Sequence, residues 1–105
     1  MQETVSKLSV APMDLAITSH SRVTRSLTIS WTNPEAPPGA QPVGLRVQYS
    51  TNGGATWTTS PDLPPEATTY TIAYTRHQTI YTIRVQVFDA DGSGSWSASV
   101  FFRTS

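Results

Sequence analysis

One stretch near the end of the sequence constrains the fold most. From Tyr81 to Phe88 the chain reads Tyr-Thr-Ile-Arg-Val-Gln-Val-Phe, so that apolar and polar side chains alternate. A period of two predicts a β-strand with one buried face. The following segment, residues 89–97, is rich in Gly, Asp and Ser and predicts a hairpin loop. Together they predict neighbouring antiparallel strands of a sheet.

Six further segments carry strand patterns, and turn residues separate them. These segments are residues 12–18, 26–31, 45–49, 55–59, 70–74 and 99–103. Pro and Gly dominate the connection at residues 33–42, and residues 52–54 (Asn-Gly-Gly) have the composition of a hairpin turn. Seven short strands with such turns predict an all-β sandwich of antiparallel sheets. Residues 1–11 are polar and aperiodic, which predicts a tail or linker before one domain at residues 12–105.

Composition and charge narrow the function classes. The chain has 105 residues, the size of one domain, and its 7 Lys and Arg balance its 7 Asp and Glu. A net charge of zero gives no sign of a nucleic-acid partner. The sequence contains no Cys, which excludes a disulfide framework and thiolate chemistry. No apolar run is long enough to span a membrane, and Met1–Thr4 lacks the features of a secretory signal.

The alternating segments resemble the fibronectin type III family over residues 12–104. The motifs that carry this resemblance are Leu27-x-Ile29-x-Trp31-x-x-Pro34, Leu45-x-Val47-x-Tyr49, Tyr70-x-Ile72, Tyr81 with its strand, and Ser97, Val100, Phe102 and Thr104 in the last strand. The resemblance implies a seven-stranded, immunoglobulin-like antiparallel sandwich with Trp31 as a core anchor. It also implies that Tyr81 buries its ring at a corner and bonds its hydroxyl to the backbone of residues 74–78.

One turn departs from the family pattern. The family usually has Leu and Pro six and four residues before the corner tyrosine, but these positions are Thr75 and His77 here. We therefore expect the turn to have its own shape, with Tyr74 as the side chain that plugs it. The sequence has no Arg-Gly-Asp, so integrin binding through that motif is not expected.

The segment from Ser50 to Trp57 resembles an Asp-box hairpin, with Asn52 in place of Asp. That motif is known from sialidase propellers and would suggest a glycosidase fragment, but a propeller needs several blades and a far longer chain. We therefore favour a hairpin capped by its own short polar side chains. A three-residue turn places Trp57 opposite Tyr49 and inward, which we predict, whereas a two-residue turn places it opposite Ser50 and outward. The predicted structural anchors are Trp31, Tyr49, Trp57 and Tyr81.

Residue types that carry catalysis or bind metals are few. Asp89 and Asp91 match the start of a calcium loop by spacing, but the twelfth loop position holds Val100 where a Glu is required. We predict a hairpin turn there, with a weak cation site at Asp89 and Asp91 as the alternative. His20 and His77 lie on different connections without metal spacing, and we expect both in exposed loops. Because the sequence shows no nucleophile elbow, we predict no enzymatic activity, no cofactor and no metal site.

The outer face of the sheet formed by the third, sixth and seventh strands is the predicted interaction surface. Counting back from the centre of the loop at residues 89–97 pairs Arg84 with Phe101, and both side chains point outward. This pairing predicts that the guanidinium of Arg84 lies on the phenyl ring. Arg46 and Arg103 share that face, and Trp96 either covers the end of the sandwich or is exposed there. Two interpretations follow: a solvated cross-strand pair that shields the ring, or a basic docking surface for a neighbouring domain or acidic partner.

These features predict a non-catalytic module that acts as a spacer or protein-interaction domain of a larger extracellular, cell-surface or virion protein. Its partners would be neighbouring domains or another protein, with no nucleic acid and no membrane insertion, and the isolated domain is expected to be a monomer. The alternative is a carbohydrate-contacting accessory module of a secreted enzyme. That alternative requires a coplanar pair of exposed aromatic rings, for which Trp57 and Trp96 are the candidates.

Overall fold

Strands and turns make up the described part of the chain. The computed structural model describes residues 11–35, 41–91 and 94–104. The strands within these residues are β1 (Met13–Ser21), β2 (Ser26–Thr32), β3 (Gly44–Ser50), β4 (Thr58–Thr59), β5 (Thr69–Ala73), β6 (Ile80–Phe88) and β7 (Val100–Arg103). None of the described residues form a helix long and apolar enough to cross a membrane. Most of the predicted tail, the middle of the Pro/Gly loop and the tip of the last hairpin loop lie outside the described residues.

The strands form two antiparallel sheets, as predicted. One sheet has the order β1-β2-β5 and the other the order β4-β3-β6-β7. β1 is longer than predicted because it continues to Ser21, with two register shifts in its pairing to β2. His20 therefore belongs to this strand, and the prediction that it lies in an exposed loop was wrong. Its ring meets that of Phe102 on β7 edge-on, with the centroids 5.1 Å apart, and so links the two sheets.

The core forms because alternate side chains of each strand point between the sheets. The buried members are Leu27, Ile29, Trp31, Leu45, Val47, Ile72, Tyr81, Ile83, Val85 and Val87. Most lie on β2, β3 and β6, the strands that are paired on both sides. Trp31 is 4% exposed, and its indole nitrogen donates to Oδ1 of Asn33 at 2.9 Å, so its polar atom is satisfied. Trp31 is thus a core anchor as predicted, and Tyr49 packs half-buried against the same cluster.

The predicted tyrosine corner closes the turn between β5 and β6. Tyr81 is 3% exposed, and its hydroxyl accepts a hydrogen bond from the backbone nitrogen of Arg76 at 2.8 Å. Tyr74 does not plug this turn, because it is 80% exposed. Strand parity after Ile72 would point Tyr74 inward, but its left-handed backbone, with φ of 58°, breaks the alternation. Thr75 is buried in its place.

The chain enters and leaves the sandwich at opposite ends. We name the two ends after the residues that begin and finish β6, Ile80 and Phe88. The β1–β2 turn, the β3–β4 hairpin and the β5–β6 turn all lie at the Ile80 end. β1 begins at the opposite end, where Met13 pairs with Thr32, whereas β7 finishes with Arg103 opposite Ile80. The chain therefore enters at the Phe88 end and leaves at the Ile80 end.

Replacing Tyr81 with Phe tests the corner hydrogen bond. The ring stays in the core, but the backbone N–H of Arg76 loses its acceptor, so the free energy of unfolding should fall by about 1–3 kcal/mol. Urea denaturation measures this difference. Tyr74→Phe is the matched control, because it removes an exposed hydroxyl and should leave the midpoint unchanged. A Tyr81→Phe protein as stable as the wild type would contradict the role given to this bond.

Candidate interaction surface

The β3–β4 hairpin is held by its own polar side chains. Ser50 Oγ accepts hydrogen bonds from the backbone nitrogens of Asn52 and Gly54 at 3.2 and 2.9 Å, and it donates to Asn52 Oδ1 at 2.7 Å. The same Oδ1 accepts from the backbone nitrogen of Thr56 at 3.0 Å. Gly53 and Gly54 supply the positive φ values, 74° and 95°, that the turn needs. The prediction of a self-capped hairpin is confirmed.

Trp57 lies on the outer face of the sheet, and the prediction that it faces the core was wrong. β3 and β4 pair with Tyr49 opposite Thr58, so Trp57 falls opposite Ser50, whose parity is outward. The reason is the size of the turn. The side-chain bonds of Ser50 and Asn52 draw the whole of residues 51–56 into the loop, and this shifts the register by one residue. A one-residue shift moves every side chain to the other face.

The β6–β7 connection holds the second tryptophan against the same face. Trp96 forms an isolated bridge with Gln86, whose Nε2 donates to the carbonyl oxygen of Gly94 at 2.8 Å. Ser97 N donates to the carbonyl oxygen of Val85 at 2.7 Å, and Val85 N donates to Ser97 Oγ at 3.0 Å. These bonds hold the connection, and with it the backbone of Trp96, against the central strand β6.

Arg84 lies between the two indoles. Its guanidinium carbon is 4.1 Å from the ring centroid of Trp57 and 4.3 Å from that of Trp96. Its Nε and Nη2 donate to Gln48 Oε1 at 3.0 and 2.6 Å, and Gln48 Nε2 donates to Thr59 Oγ1 at 3.1 Å. A guanidinium is planar and weakly hydrated, so its faces stack on aromatic rings while its edge donates hydrogen bonds. We call Trp57, Arg84 and Trp96 the Trp–Arg–Trp stack.

The predicted pair of Arg84 with Phe101 does not form. β6 and β7 pair with Thr82 opposite Phe101, two residues away from the predicted register. Counting from the loop centre failed because residues 94–99 run beside β6 as an irregular segment before β7 begins. A two-residue shift keeps each side chain on its predicted face. Arg84 therefore points outward as predicted but meets Trp96.

The other predicted members of the surface are divided between packed and exposed side chains. The guanidinium carbon of Arg46 lies 4.1 Å from the ring centroid of Phe88, which is buried. Phe101 is 69% exposed and Arg103 is also exposed, both on the edge strand β7. Because two of the arginines stack on other rings, the five residues do not form one basic patch around Phe101. Their part in binding a partner stays a prediction.

The described residues include no group of three or more His, Cys, Asp or Glu side chains that could hold a metal ion. Asp89, at the start of the β6–β7 connection, is buried, and its Oδ1 accepts a hydrogen bond from the backbone nitrogen of Asp91 at 2.9 Å. That bond is typical of an Asx turn. His77 lies exposed in the β5–β6 turn, as predicted.

The Trp–Arg–Trp stack bears on the carbohydrate-contacting alternative. A sugar-binding platform needs aromatic rings that lie side by side with their faces open. Here the guanidinium carbon of Arg84 lies over a face of each indole, 4.1 Å from the Trp57 centroid and 4.3 Å from the Trp96 centroid. Both tryptophans are half-buried. The carbohydrate-contacting alternative would therefore have to use the ring faces that Arg84 leaves open, and it stays a prediction.

Comparison with known proteins identifies the class of domain. The family model for the fibronectin type III domain matches residues 10–103. The chain is 35% identical over 97 residues to the tyrosine-protein phosphatase Lar of Drosophila melanogaster, and 28% identical over 91 residues to the interleukin-6 receptor subunit beta of Homo sapiens. These matches cover 90% and 82% of this chain but 4% and 10% of those proteins. The chain thus spans a small fraction of the length of these relatives.

Solved structures share the fold at low sequence identity. A structure of titin kinase and its flanking domains matches with a TM-score of 0.76 and 20% identity, covering 94% of this chain and 18% of that one. A myokine structure matches with a TM-score of 0.71 and 16% identity, covering 91% of this chain and 97% of that one. At these identities the similarity shows the fold alone.

Replacing Arg84 with Met tests the stack. Met keeps an apolar stem between the indoles but removes the planar cation and its bonds to Gln48, so the free energy of unfolding should fall by about 1–3 kcal/mol. The near-ultraviolet circular dichroism of the two tryptophans should change as well. Arg103→Met is the control, since it removes an exposed arginine from the same sheet. Wild-type stability and an unchanged spectrum in Arg84→Met would show that the stack contributes nothing.

Proposed function

Because the chain belongs to the fibronectin type III family, we propose that it is a non-catalytic module that spaces or docks the neighbouring parts of a larger extracellular or cell-surface protein. The curated relatives support this proposal, since both are far longer than the matched region and one is named as a receptor subunit. The activity in the name of the other relative does not carry over, because the match spans 4% of that phosphatase.

The path of the chain through the sandwich is the observation that carries the proposal. β1 begins at the Phe88 end, and β7 finishes at the Ile80 end. β6 has 9 residues and, at about 3.3 Å per residue, separates the two ends by about 30 Å. A module whose connections leave from opposite ends adds its own length to a row of domains, which is what a spacer must do.

Exposed side chains on the four-stranded sheet support a docking role. Phe101 on β7 and Ile80 on β6 are exposed apolar residues on its outer face, and Arg103 is exposed opposite Ile80. Aromatic and arginine side chains are enriched at protein interfaces, where they carry much of the binding energy. This composition suits contact with a neighbouring domain.

Deletion of the module from its full-length parent protein, followed by exchange for another domain, tests the proposal. Deleting residues 12–104 should bring the flanking parts closer by about 30 Å, the length that the strands span. Fluorescence energy transfer between labels on the flanking parts measures this change, and a partner-binding assay is run in parallel.

The control is replacement by an unrelated sandwich domain with the same chain path and length. A replacement that restores both distance and binding identifies a spacer, and one that restores only distance identifies a docking module. Deletion that changes neither distance nor binding would contradict the proposed function.

A further inference from the structure

Four of the six arginines lie at one end of the sandwich. Arg22 and Arg25 belong to the β1–β2 turn, Arg76 to the β5–β6 turn, and Arg103 finishes β7 opposite Ile80. All four arginines are exposed. The Ile80 end therefore presents four positive charges to solvent.

The side-chain carboxylates of the described residues lie towards the other end. They are Asp14, Glu35, Asp62, Glu66, Asp89 and Asp91. Asp14 is among the first residues of β1, and the others belong to the β2–β3, β4–β5 and β6–β7 connections, which lie towards the Phe88 end. Within residues 11–35, 41–91 and 94–104, no carboxylate lies at the Ile80 end.

This separation of charge is hidden by a net charge of zero. The surfaces of soluble domains usually mix the two signs, so that opposite charges screen each other locally. Here the two ends are about 30 Å apart, several times the Debye length of about 8 Å at physiological ionic strength. Each end thus presents its own potential to a partner that touches it.

A polar pocket opens at the Ile80 end. It has a volume of about 220 Å³ and lies between the β3–β4 hairpin and the β5–β6 turn. The hydroxyl-bearing residues Thr51, Thr56 and Thr58 line it beside Tyr49, and Arg76 carries the only charge among the described residues of its lining. Burial raises the pKa of the Tyr49 phenol, which stays protonated at neutral pH and keeps its donor. Hydroxyl donors around a guanidinium are the chemistry that binds a carboxylate.

Apolar side chains are exposed among the same arginines. Val23 is 92% exposed between Arg22 and Arg25, Tyr74 lines the pocket, and Ile80 is 56% exposed. Exposed apolar side chains surrounded by arginines are typical of protein interfaces. A charged surface that only contacts water would not require them.

We propose that the Ile80 end docks onto the acidic Phe88 end of a second copy of this module that follows it in a row. The inference deepens the function proposed above and rests on it. The chain leaves the sandwich at the Ile80 end, so a copy joined after it has its Phe88 end next to this surface. The carboxylates at the Phe88 end of that copy complement the arginines at the Ile80 end. A carboxylate of the partner enters the pocket beside Arg76, and the remaining arginines hold the two modules in line.

A tandem protein of two full copies, joined from Ser105 to Met1, tests this docking. The chain contains no Cys, so Ala16→Cys in both copies gives one spin label per module, on the exposed side of β1. Double electron–electron resonance then measures the distance between the labels. Docked modules should give a single narrow distance distribution at low salt. The distribution should broaden in 1 M salt, where the Debye length is about 3 Å.

Charge reversal supplies matched controls. Arg22→Glu with Arg76→Glu in the first copy should broaden the distribution, because these side chains face the second copy. The same pair in the second copy should leave it narrow, because that end faces no module. Adding Glu35→Arg and Asp91→Arg to the second copy should restore the narrow peak of the first variant.

Two results would overturn the docking. One is a broad distribution for the unsubstituted tandem at low salt, and the other is a narrow one that reversal in the first copy leaves unchanged. Neither result bears on the module exchange, which tests spacing and partner binding independently of how two modules meet.

Discussion

Burial of alternate side chains between the two sheets is the interaction on which the rest of the structure depends. The chain has no Cys, so no disulfide can stabilise the sandwich, and packing must do so. Trp31 lies near the Phe88 end of this packed layer and Tyr81 near the Ile80 end. Between them the strands β2, β3 and β6 supply most of the buried side chains. A layer of this kind keeps the two ends at a fixed separation, which a spacer requires.

The outer face of the four-stranded sheet is organised by a different kind of contact. Arg84 fills the space between an indole from the β3–β4 hairpin and an indole from the β6–β7 connection. The stack therefore ties a connection from each end of the sandwich to the central strand β6. Gln48 Oε1 accepts two hydrogen bonds from the edge of the guanidinium, so an amide oxygen holds the cation on this face. This arrangement uses the arginine for stability and leaves Phe101 as the exposed ring on β7.

The sequence was sufficient for features that depend on parity within one strand. The inward positions of Trp31 and Tyr81 follow from alternation and from the resemblance, and the structure confirms both. The errors arose where a connection sets the register between strands. Six residues of hairpin loop turn Trp57 outward, and an irregular segment before β7 puts Thr82 opposite Phe101. The length of a loop that is held by side-chain bonds cannot be counted from its glycines alone.

The sequence alone could not predict the separation of charge between the two ends, for another reason. Arg22 and Arg76 are distant in the chain, and only the topology brings their turns to the same end. The sum of charges gives zero and conceals the four arginines gathered there. Positions of this kind follow from strand order and chain direction, and these must be known before charges can be assigned to a surface.

Stability of Trp31→Ala tests most directly whether the packed layer is the basis of the module. The indole lies on a strand paired on both sides, and its removal leaves a cavity that backbone pairing prevents from collapsing. In urea denaturation, the free energy of unfolding should fall by about 3–5 kcal/mol, out of the roughly 5–15 kcal/mol that such a domain has. An unfolding midpoint that stays close to that of the wild type would contradict it.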